Sequence, residues 1–288
     1  MVDLSSFTLV NSAGFVKGPS NEFDDLLRST AHGITVGSIT LLARDGNPGT
    51  TYWSGYRTGE GRSSVNALGL PNPGLKVFLW FANDLFRRAH SVGKKLRVSI
   101  AGFEPQEYAE LAHELAQYVD ELEINLGCPN VWGDAGQKPI ASFDRVLMEN
   151  ILTRVTAHTT RTGVKVAVKV SPFSNPNDLI AIANTLSNFE HSVHEVVTCN
   201  TFPNGIAFSR GKRAIDMPYG GVGGEALREI ALGQTAQFVD ALKDTSITVV
   251  GVGGISRGVD ITAMHAVGAS GVQVGTAFGE RKERITSE

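Results

Sequence analysis

The sequence predicts a (β/α)8 barrel, and two observations lead to this fold class. Short runs rich in β-branched residues alternate with amphipathic segments along all 288 residues, as in folds that join strands by helices. Several runs are almost continuously apolar, which is typical of parallel strands buried on both faces. Eight such runs leave no break for a second domain. We therefore expect one domain over residues 1–288 and prefer the barrel to an open doubly wound sheet.

The strands are predicted from their apolar, β-branched composition and from the polar or glycine residues that bound them. In chain order they are Thr8–Ser12, Ile34–Thr40, Leu96–Ala101, Glu121–Leu126, Lys165–Val170, Glu195–Asn200, Thr248–Gly251 and Gly271–Gly275.

Helices are predicted where apolar residues recur three and four positions apart, at 21–27, 78–82, 108–118, 147–155 and 226–242. Asn21 stands before the first of these stripes as a polar N-cap. One stretch, 41–73, is too long for an ordinary strand-to-helix loop and is rich in Gly, Arg, Ser and Asn. It predicts a hairpin or a lid.

Composition narrows the class of protein. The net charge is −3, so no basic surface indicates nucleic acid as a partner. Two cysteines exclude a disulfide framework and fit a reducing, cytoplasmic setting. We see no signal peptide and no apolar run long enough to span a membrane. The seven histidines show no ligand spacing, and His191 and His194 are expected to precede the sixth strand, so no metal site is predicted.

The barrel prediction directs attention to the carboxyl ends of the strands, where active sites of this fold lie. Gly251–Ile255 and Gly275-Thr276 follow the last two strands, and such glycines let backbone N–H groups approach a phosphate. Each motif alone could be a tight turn, but the pair predicts a phosphate site. Lys169 ends the fifth strand between two valines, so it is a candidate for contact with the same ligand.

Cys128 lies in a polar loop directly after the fourth strand. A small buried thiol is the alternative, but a thiol in this position could serve as a general base near neutral pH. Amides that could bind a polar, planar substrate lie at Asn66, Asn125, Asn130 and Asn200. Cys199 is expected only to pack inside the barrel.

These residues stand in segments that resemble the motifs of the dihydroorotate dehydrogenase family, in order from about Leu9 to Phe278. The segments are Arg44–Pro48, Asn66–Asn72, Ser99–Gly102, Ile124–Asn130, Gly251–Ile255 and Gln273–Thr276. The resemblance implies a barrel that binds FMN and oxidises dihydroorotate to orotate. In the family a base after the fourth strand removes a proton from C5, and a hydride passes from C6 to N5 of the flavin.

The resemblance also implies roles for individual positions. Cys128 matches the catalytic cysteine of the soluble branch. Substrate contacts are implied for Lys17, Asn66, Gly69, Leu70, Asn125, Asn130, Asn200 and Thr201. Flavin contacts are implied for Ala13, Gly14, Ser38, Asn125, Lys169, Gly221, Gly224, Gly253, Gly254, Gly275 and Thr276. Residues Val131 to Ile140 match a mobile loop that closes over the substrate.

Two departures from the family pattern bear on the subtype. The soluble branch has a lysine where this chain has Gly37, and Lys17 instead matches the lysine placement of the membrane-associated branch. We expect Lys17 to reach the substrate carboxylate or the flavin. Only residues 279–288 follow the last strand, so we expect a final helix of about two turns or a trimmed chain. No N-terminal helical extension is seen, which makes membrane quinone an unexpected acceptor.

Two other functions stay open at this point. One is a related flavoenzyme that acts on another dihydropyrimidine or unsaturated ring, and the other is a phosphate-binding barrel without catalytic activity. Fumarate, oxygen, or NAD through a partner subunit could each accept the electrons. A homodimer is expected only because dimers are common in the family.

Overall fold

The computed structural model describes residues 7–56, 61–133, 136–160 and 162–280. The strands are β1 (Thr8–Asn11), β2 (Gly33–Ile39), β3 (Tyr52–Tyr56), β4 (Arg62–Asn66), β5 (Lys95–Ile100), β6 (Glu121–Asn125), β7 (Trp132–Gly133), β8 (Gly136–Gln137), β9 (Lys165–Val170), β10 (Val193–Thr198), β11 (Phe202–Gly205), β12 (Phe208–Ser209), β13 (Lys212–Arg213), β14 (Gly220–Gly224), β15 (Thr248–Val252) and β16 (Gly271–Val274). The helices are α1 (Asn21–Arg28), α2 (Gly74–Ser91), α3 (Pro105–Leu115), α4 (Arg145–Thr159), α5 (Pro176–Ser187), α6 (Arg228–Leu242), α7 (Gly258–Ala266) and α8 (Thr276–Glu280).

Eight of the strands close into a parallel barrel, in the order β1-β2-β5-β6-β9-β10-β15-β16, and β16 pairs again with β1. Helices lie between these strands, so the predicted (β/α)8 barrel is confirmed. All eight predicted strands are present, with ends shifted by at most two residues. The sixth is the most displaced, because β10 begins at Val193. His194 therefore lies inside a strand and not before it, which corrects the sequence prediction.

The helices begin where local chemistry satisfies their first backbone N–H groups. At α1 the cap is Ser20 and not Asn21, because the Phe23 N–H donates to Ser20 Oγ over 3.3 Å. Asp144 caps α4 in the same way, and α5 begins with Pro176 behind the capping side chain of Asn175. The helices pack apolar faces on the barrel, where Phe23, Phe78 and Phe238 are fully buried. Among the described residues, no helix is long and apolar enough to cross a membrane.

A second sheet covers the carboxyl ends of the barrel strands. The predicted hairpin within 41–73 is confirmed as β3 and β4, which pair antiparallel. The sequence did not reveal that β14 pairs with β4 and β11 with β14, giving the order β11-β14-β4-β3. This pairing brings Gly221 opposite Asn66, although the two are far apart in the chain. The cap and the barrel mouth together enclose a cleft.

Candidate active site

The cleft at the barrel mouth collects residues from almost every strand-to-helix loop and from the cap sheet. Of the residues predicted for the site, those that line it are Ala13, Gly14, Lys17, Ser38, Asn66, Gly69, Leu70, Asn125, Cys128, Asn130, Lys169, Asn200, Thr201, Gly224, Gly253, Gly254, Gly275 and Thr276. The barrel geometry explains this convergence, because parallel strands all end at the same rim.

Gly221 is the exception, because it lies in the cap sheet behind the cleft lining. Its carbonyl accepts a hydrogen bond from Asn66 Nδ2 over 3.3 Å. A Cβ at this position would lie 2.0 Å from Thr201 Oγ1 and 3.2 Å from Asn130 Nδ2. The structure therefore indicates that Gly221 makes room for Thr201 and orients Asn66, and its flavin contact stays a prediction.

The asparagine amides form two hydrogen-bonded chains. Asn130 Nδ2 donates to Asn66 Oδ1 over 2.6 Å. Asn200 Nδ2 donates to Asn125 Oδ1 over 3.1 Å, and Asn125 Nδ2 donates to Ser38 Oγ over 2.8 Å. Asn125 and Asn66 use both ends of their amides in hydrogen bonds, so these chains fix the orientation of all four side chains. Preorganised donors and acceptors of this kind suit a rigid, polar ligand.

Cys128 is a free thiol on the loop after β6, where its side chain is partly buried. Burial raises the pKa of the Cys128 thiol above its ordinary value. The Asn130 N–H and the cations of Lys138, Arg44 and Lys169 act against this and favour the thiolate. The thiol is therefore a weaker acid than a free cysteine, in an environment that still carries positive charge.

Two of these cations flank an aromatic ring. Lys138 Nζ lies 4.4 Å and the Arg44 guanidinium carbon 4.7 Å from the centroid of the Phe103 ring, and Lys138 Nζ also donates to the Gly102 carbonyl over 2.6 Å. Lys138 follows the short hairpin of β7 and β8, within the segment predicted to close over the substrate. Residues 134 and 135 of that segment lie outside the described residues.

Lys169 is the deepest cation of the cleft, and its side chain is buried. Its Nζ donates to Ser12 Oγ and to Gln273 Oε1, both over 2.9 Å. Burial lowers the pKa of Lys169, and the carboxylate of Glu123 acts in the opposite direction. Ser12 and Gln273 were not predicted as site residues from the sequence. The alternation of side chains between the two faces of β16 could have revealed Gln273. It points into the barrel from a strand that ends at the site.

Lys17 lines the cleft from the loop after β1. Strand β2 carries no lysine. Burial lowers the pKa of Lys17 to about 8. Gly37 could not carry a side chain here, because its φ is +104° and a Cβ would lie 2.4 Å from the Ser99 carbonyl oxygen. The backbone of β2 therefore excludes a lysine at 37 and leaves Lys17 to supply a cation from the loop after β1.

Two glycine loops form the far end of the cleft. Gly253 and Gly254 follow β15 with φ values of +122° and +74°, which glycine adopts without strain. Gly275 follows β16, and the Thr276 hydroxyl pairs with Ser64 Oγ over 2.9 Å. These two loops are adjacent because β15 and β16 pair in the barrel. Such loops are the usual phosphate site of this fold.

Several lining residues carried no signal in the sequence. Phe15, Tyr52 and Ser64 reach the cleft from the first loop and from the cap hairpin. Cys199 also lines it, although it is buried as predicted. No group of three or more His, Cys, Asp or Glu residues that could hold a metal occurs in the described part of the chain.

Comparison with known proteins agrees with this geometry. The family model described as dihydroorotate dehydrogenase matches residues 6–288. A Kluyveromyces lactis protein named dihydroorotate dehydrogenase (fumarate) is 30% identical over 290 residues, which cover 97% of this chain and 87% of the relative. A Trypanosoma cruzi protein of the same name is 31% identical over 281 residues, covering 94% of this chain and 83% of the relative.

A solved structure shows the same fold. The crystal structure of DHODH in complex with ferulenol from Eimeria tenella superposes with a TM-score of 0.74, at 21% identity, over 93% of this chain and 75% of that one. The match of the family model to nearly the whole chain is the decisive finding. The chain belongs to the dihydroorotate dehydrogenase family, whose members are flavin-dependent oxidoreductases that act on CH–CH bonds.

Proposed function

We propose that this protein oxidises (S)-dihydroorotate to orotate with bound FMN, in pyrimidine biosynthesis. The observation that carries the proposal is that the Cys128 thiol, two hydrogen-bonded chains of asparagine amides and the buried Lys169 line the same cleft. A flat ring with carbonyl and N–H edges matches such amides, and a thiol beside the ring can remove a proton from carbon.

The cleft has the donors that FMN requires. Backbone N–H groups at Gly253, Gly254 and Gly275 would hold the phosphate. Lys169 and Asn125 would contact the polar edge of the ring, at the floor of the barrel mouth. When bound, the flavin supplies the acceptor for the hydride that leaves C6 of the substrate.

The protein residues then have distinct tasks. The Cys128 thiolate takes the proton from C5, and the asparagine chains hold the ring so that C5 faces the sulfur. Lys17 pairs with the substrate carboxylate. The segment from Val131 to Ile140 closes over the ring and excludes water. Fumarate is the first electron acceptor to test, because the relatives carry it in their names.

The test is the visible flavin spectrum of the purified protein without oxygen, before and after dihydroorotate is added. We expect the flavin absorbance to bleach at once in the unmodified protein. In Cys128→Ala we expect bound flavin that bleaches at least a thousandfold more slowly, since the base is lost. Cys128→Ser keeps a weaker base and should fall between the two. Prompt bleaching of Cys128→Ala would remove Cys128 from the mechanism.

A second candidate rests on Gly37 and Lys17. Lys17 supplies a cation from the loop after β1, whereas the soluble branch of the family has its lysine at the position of Gly37. This difference could select a ring other than dihydroorotate, so the alternative substrate is another dihydropyrimidine or an unsaturated ring compound. Flavin that stays oxidised with dihydroorotate, in protein that does not bind orotate, would favour this alternative. Tight binding of orotate would oppose it, because the amide contacts are specific for geometry.

A further inference from the structure

A buried carboxylate lies directly beneath the site and takes no part in the proposed reaction. Glu123 is fully buried on β6, two residues before Asn125 on the same inward face. Its Oε2 accepts a hydrogen bond from Gln273 Nε2 over 2.5 Å. The other end of that amide, Gln273 Oε1, accepts from Lys169 Nζ over 2.9 Å. Glu123, Gln273 and Lys169 thus form a chain that rises through the barrel to the cleft.

We propose that Glu123 and Gln273 are positioning residues that keep Lys169 as an ammonium ion aimed at the flavin site, and that they thereby set how readily the bound flavin is reduced. This inference rests on the proposed flavin chemistry. It adds a means by which the barrel interior tunes the cofactor.

The charge of Lys169 depends on Glu123. A lysine as buried as Lys169 tends to lose its proton unless a counter-charge is close. Glu123 Oε1 lies 3.9 Å from Lys169 Nζ. The other titratable or charged groups that influence Lys169 are Cys128 and Cys199, whose thiolates would favour the cation, and Arg97, which opposes it. Both thiols have a raised pKa because of burial, so Glu123 is the anion that remains.

Arg97 divides its charge among three carboxylates, and Glu123 is the most distant of them. The guanidinium of Arg97 lies 2.6 Å from Glu121 and 2.7 Å from Glu195, while Glu123 is 3.7 Å away. Two closer carboxylates therefore pair with the arginine. Glu123 therefore lies between two cations, Arg97 at 3.7 Å and Lys169 at 3.9 Å, and the amide of Gln273 links it to Lys169 only.

The amide of Gln273 also fixes the direction in which the ammonium group of Lys169 points. Because its nitrogen donates to Glu123, its oxygen must face Lys169. An ammonium has three donors, and Ser12 and Gln273 take two of them. Among the described residues no further hydrogen bond is made by Lys169 Nζ, and the side chain lines the cleft. The third donor is available to a ligand, and a cation there would stabilise the negative charge that a flavin gains on reduction.

The test measures the equilibrium between the bound flavin and a reference dye of known potential, at several pH values and without substrate. In Glu123→Gln at high pH we expect a shift of at least tenfold towards oxidised flavin, about 30 mV for a two-electron couple. The shift should disappear or reverse as the pH is lowered, because Lys169 regains its proton. Lys169→Met should show the shift at every pH.

Glu195→Gln is the matched control, because it removes a buried carboxylate from the other side of Arg97 and should shift the equilibrium less than twofold. An equilibrium in Glu123→Gln that equals or exceeds that of the unmodified protein at high pH would overturn the inference.

Gln273→Met provides a second variant if Glu123→Gln fails to fold. It keeps both charges but removes the orienting amide, so we expect a shift that pH does not reverse, and an unchanged equilibrium would also overturn the inference. Flavin content and the spectrum of the unmodified protein are recorded first. A protein without flavin would contradict the proposed function itself, whereas a yellow protein with unshifted variants would contradict only the role of Glu123 and Gln273.

Discussion

At the scale of single residues, the site combines a base whose burial opposes its ionisation with cations that favour it. Cys128 has a raised pKa, and Lys138 is one of the groups that act to lower it. Lys17 has a pKa of about 8, because burial disfavours its charge. The two pKa values are shifted in opposite directions, upward for Cys128 and downward for Lys17, so their roles predict opposite dependences of the rate on pH.

We predict that Lys17→Met raises KM for dihydroorotate about 100-fold, roughly 2.7 kcal/mol, because a charge-assisted contact to the carboxylate is lost. In the unmodified protein Lys17 is charged below pH 8 and neutral above it. Lys17 therefore makes kcat/KM fall as the pH rises through about 8, and the variant should lose this decline. Lys212→Met, on the exposed hairpin of β12 and β13, is the control. An unchanged KM in Lys17→Met would place the carboxylate elsewhere.

A second residue-scale prediction concerns the base. The base must be a thiolate, so kcat should increase with pH and reach its plateau above the ordinary thiol range. Lys138→Gln removes a cation that favours the thiolate, so the rising part of the kcat–pH profile should move to higher pH. Stopped-flow bleaching of the flavin across pH measures this. An unchanged pH profile in Lys138→Gln would mean that Lys138 does not affect the pKa of the Cys128 thiol.

At the scale of elements, one side chain joins the two ends of the long insertion after β2. Asn72 Oδ1 accepts from the Thr40 and Gly74 N–H groups over 3.1 and 2.9 Å. Its Nδ2 donates to Thr40 Oγ1 and to the Leu70 carbonyl, each over 2.8 Å. Asn72 thus joins the end of β2, the start of α2 and the segment that carries Gly69 and Leu70 into the cleft.

We predict that Asn72→Ala lowers the free energy of unfolding by about 2–4 kcal/mol, because buried backbone groups lose their partners. It should also weaken orotate binding, since the segment loses its anchor. Urea denaturation and orotate titration measure the two effects. Asn188→Ala, at the exposed end of α5, is the control, and a loss below about 0.5 kcal/mol in Asn72→Ala would contradict the anchoring role.

At the scale of the whole molecule, the barrel encloses a charged cluster at its amino-terminal end. Arg97 contacts Glu121 and Glu195 there, and His194 Nε2 lies 4.0 Å from Glu121. Burial lowers the pKa of His194 to about 4, although the carboxylate of Glu121 acts in the opposite direction. The native barrel therefore favours neutral histidine.

This burial predicts an acid sensitivity of the fold. The unfolded chain binds a proton at His194 near pH 6.5, whereas the native state does so only near pH 4. Stability therefore rises with pH between about 4 and 6.5, by up to about 3 kcal/mol for this group. His194→Gln should flatten that part of the curve in urea denaturation, and His113→Gln, at an exposed position of α3, is the control. An unaltered slope in His194→Gln would assign the effect to other groups.

The sequence by itself was sufficient for the barrel and for most of the cleft. Parallel strands buried on both faces must be continuously apolar, so their positions were readable. The fold then places every strand end at one rim, and for this reason Cys128, Asn125, Lys169 and Gly253 could be grouped without a structure. The family resemblance and the family-model match agree. The single-domain organisation, the individual residue roles and the dimer stay predictions.

Only the tertiary structure decided which residues support that rim. The pairing of β14 with β4 placed Gly221 behind Asn66, and the inward faces of β6 and β16 placed Glu123 and Gln273 beneath Lys169. The physical reason is that these contacts depend on strand register and on facing directions across the barrel. Local composition records whether a residue is buried, but not which distant residue it meets there.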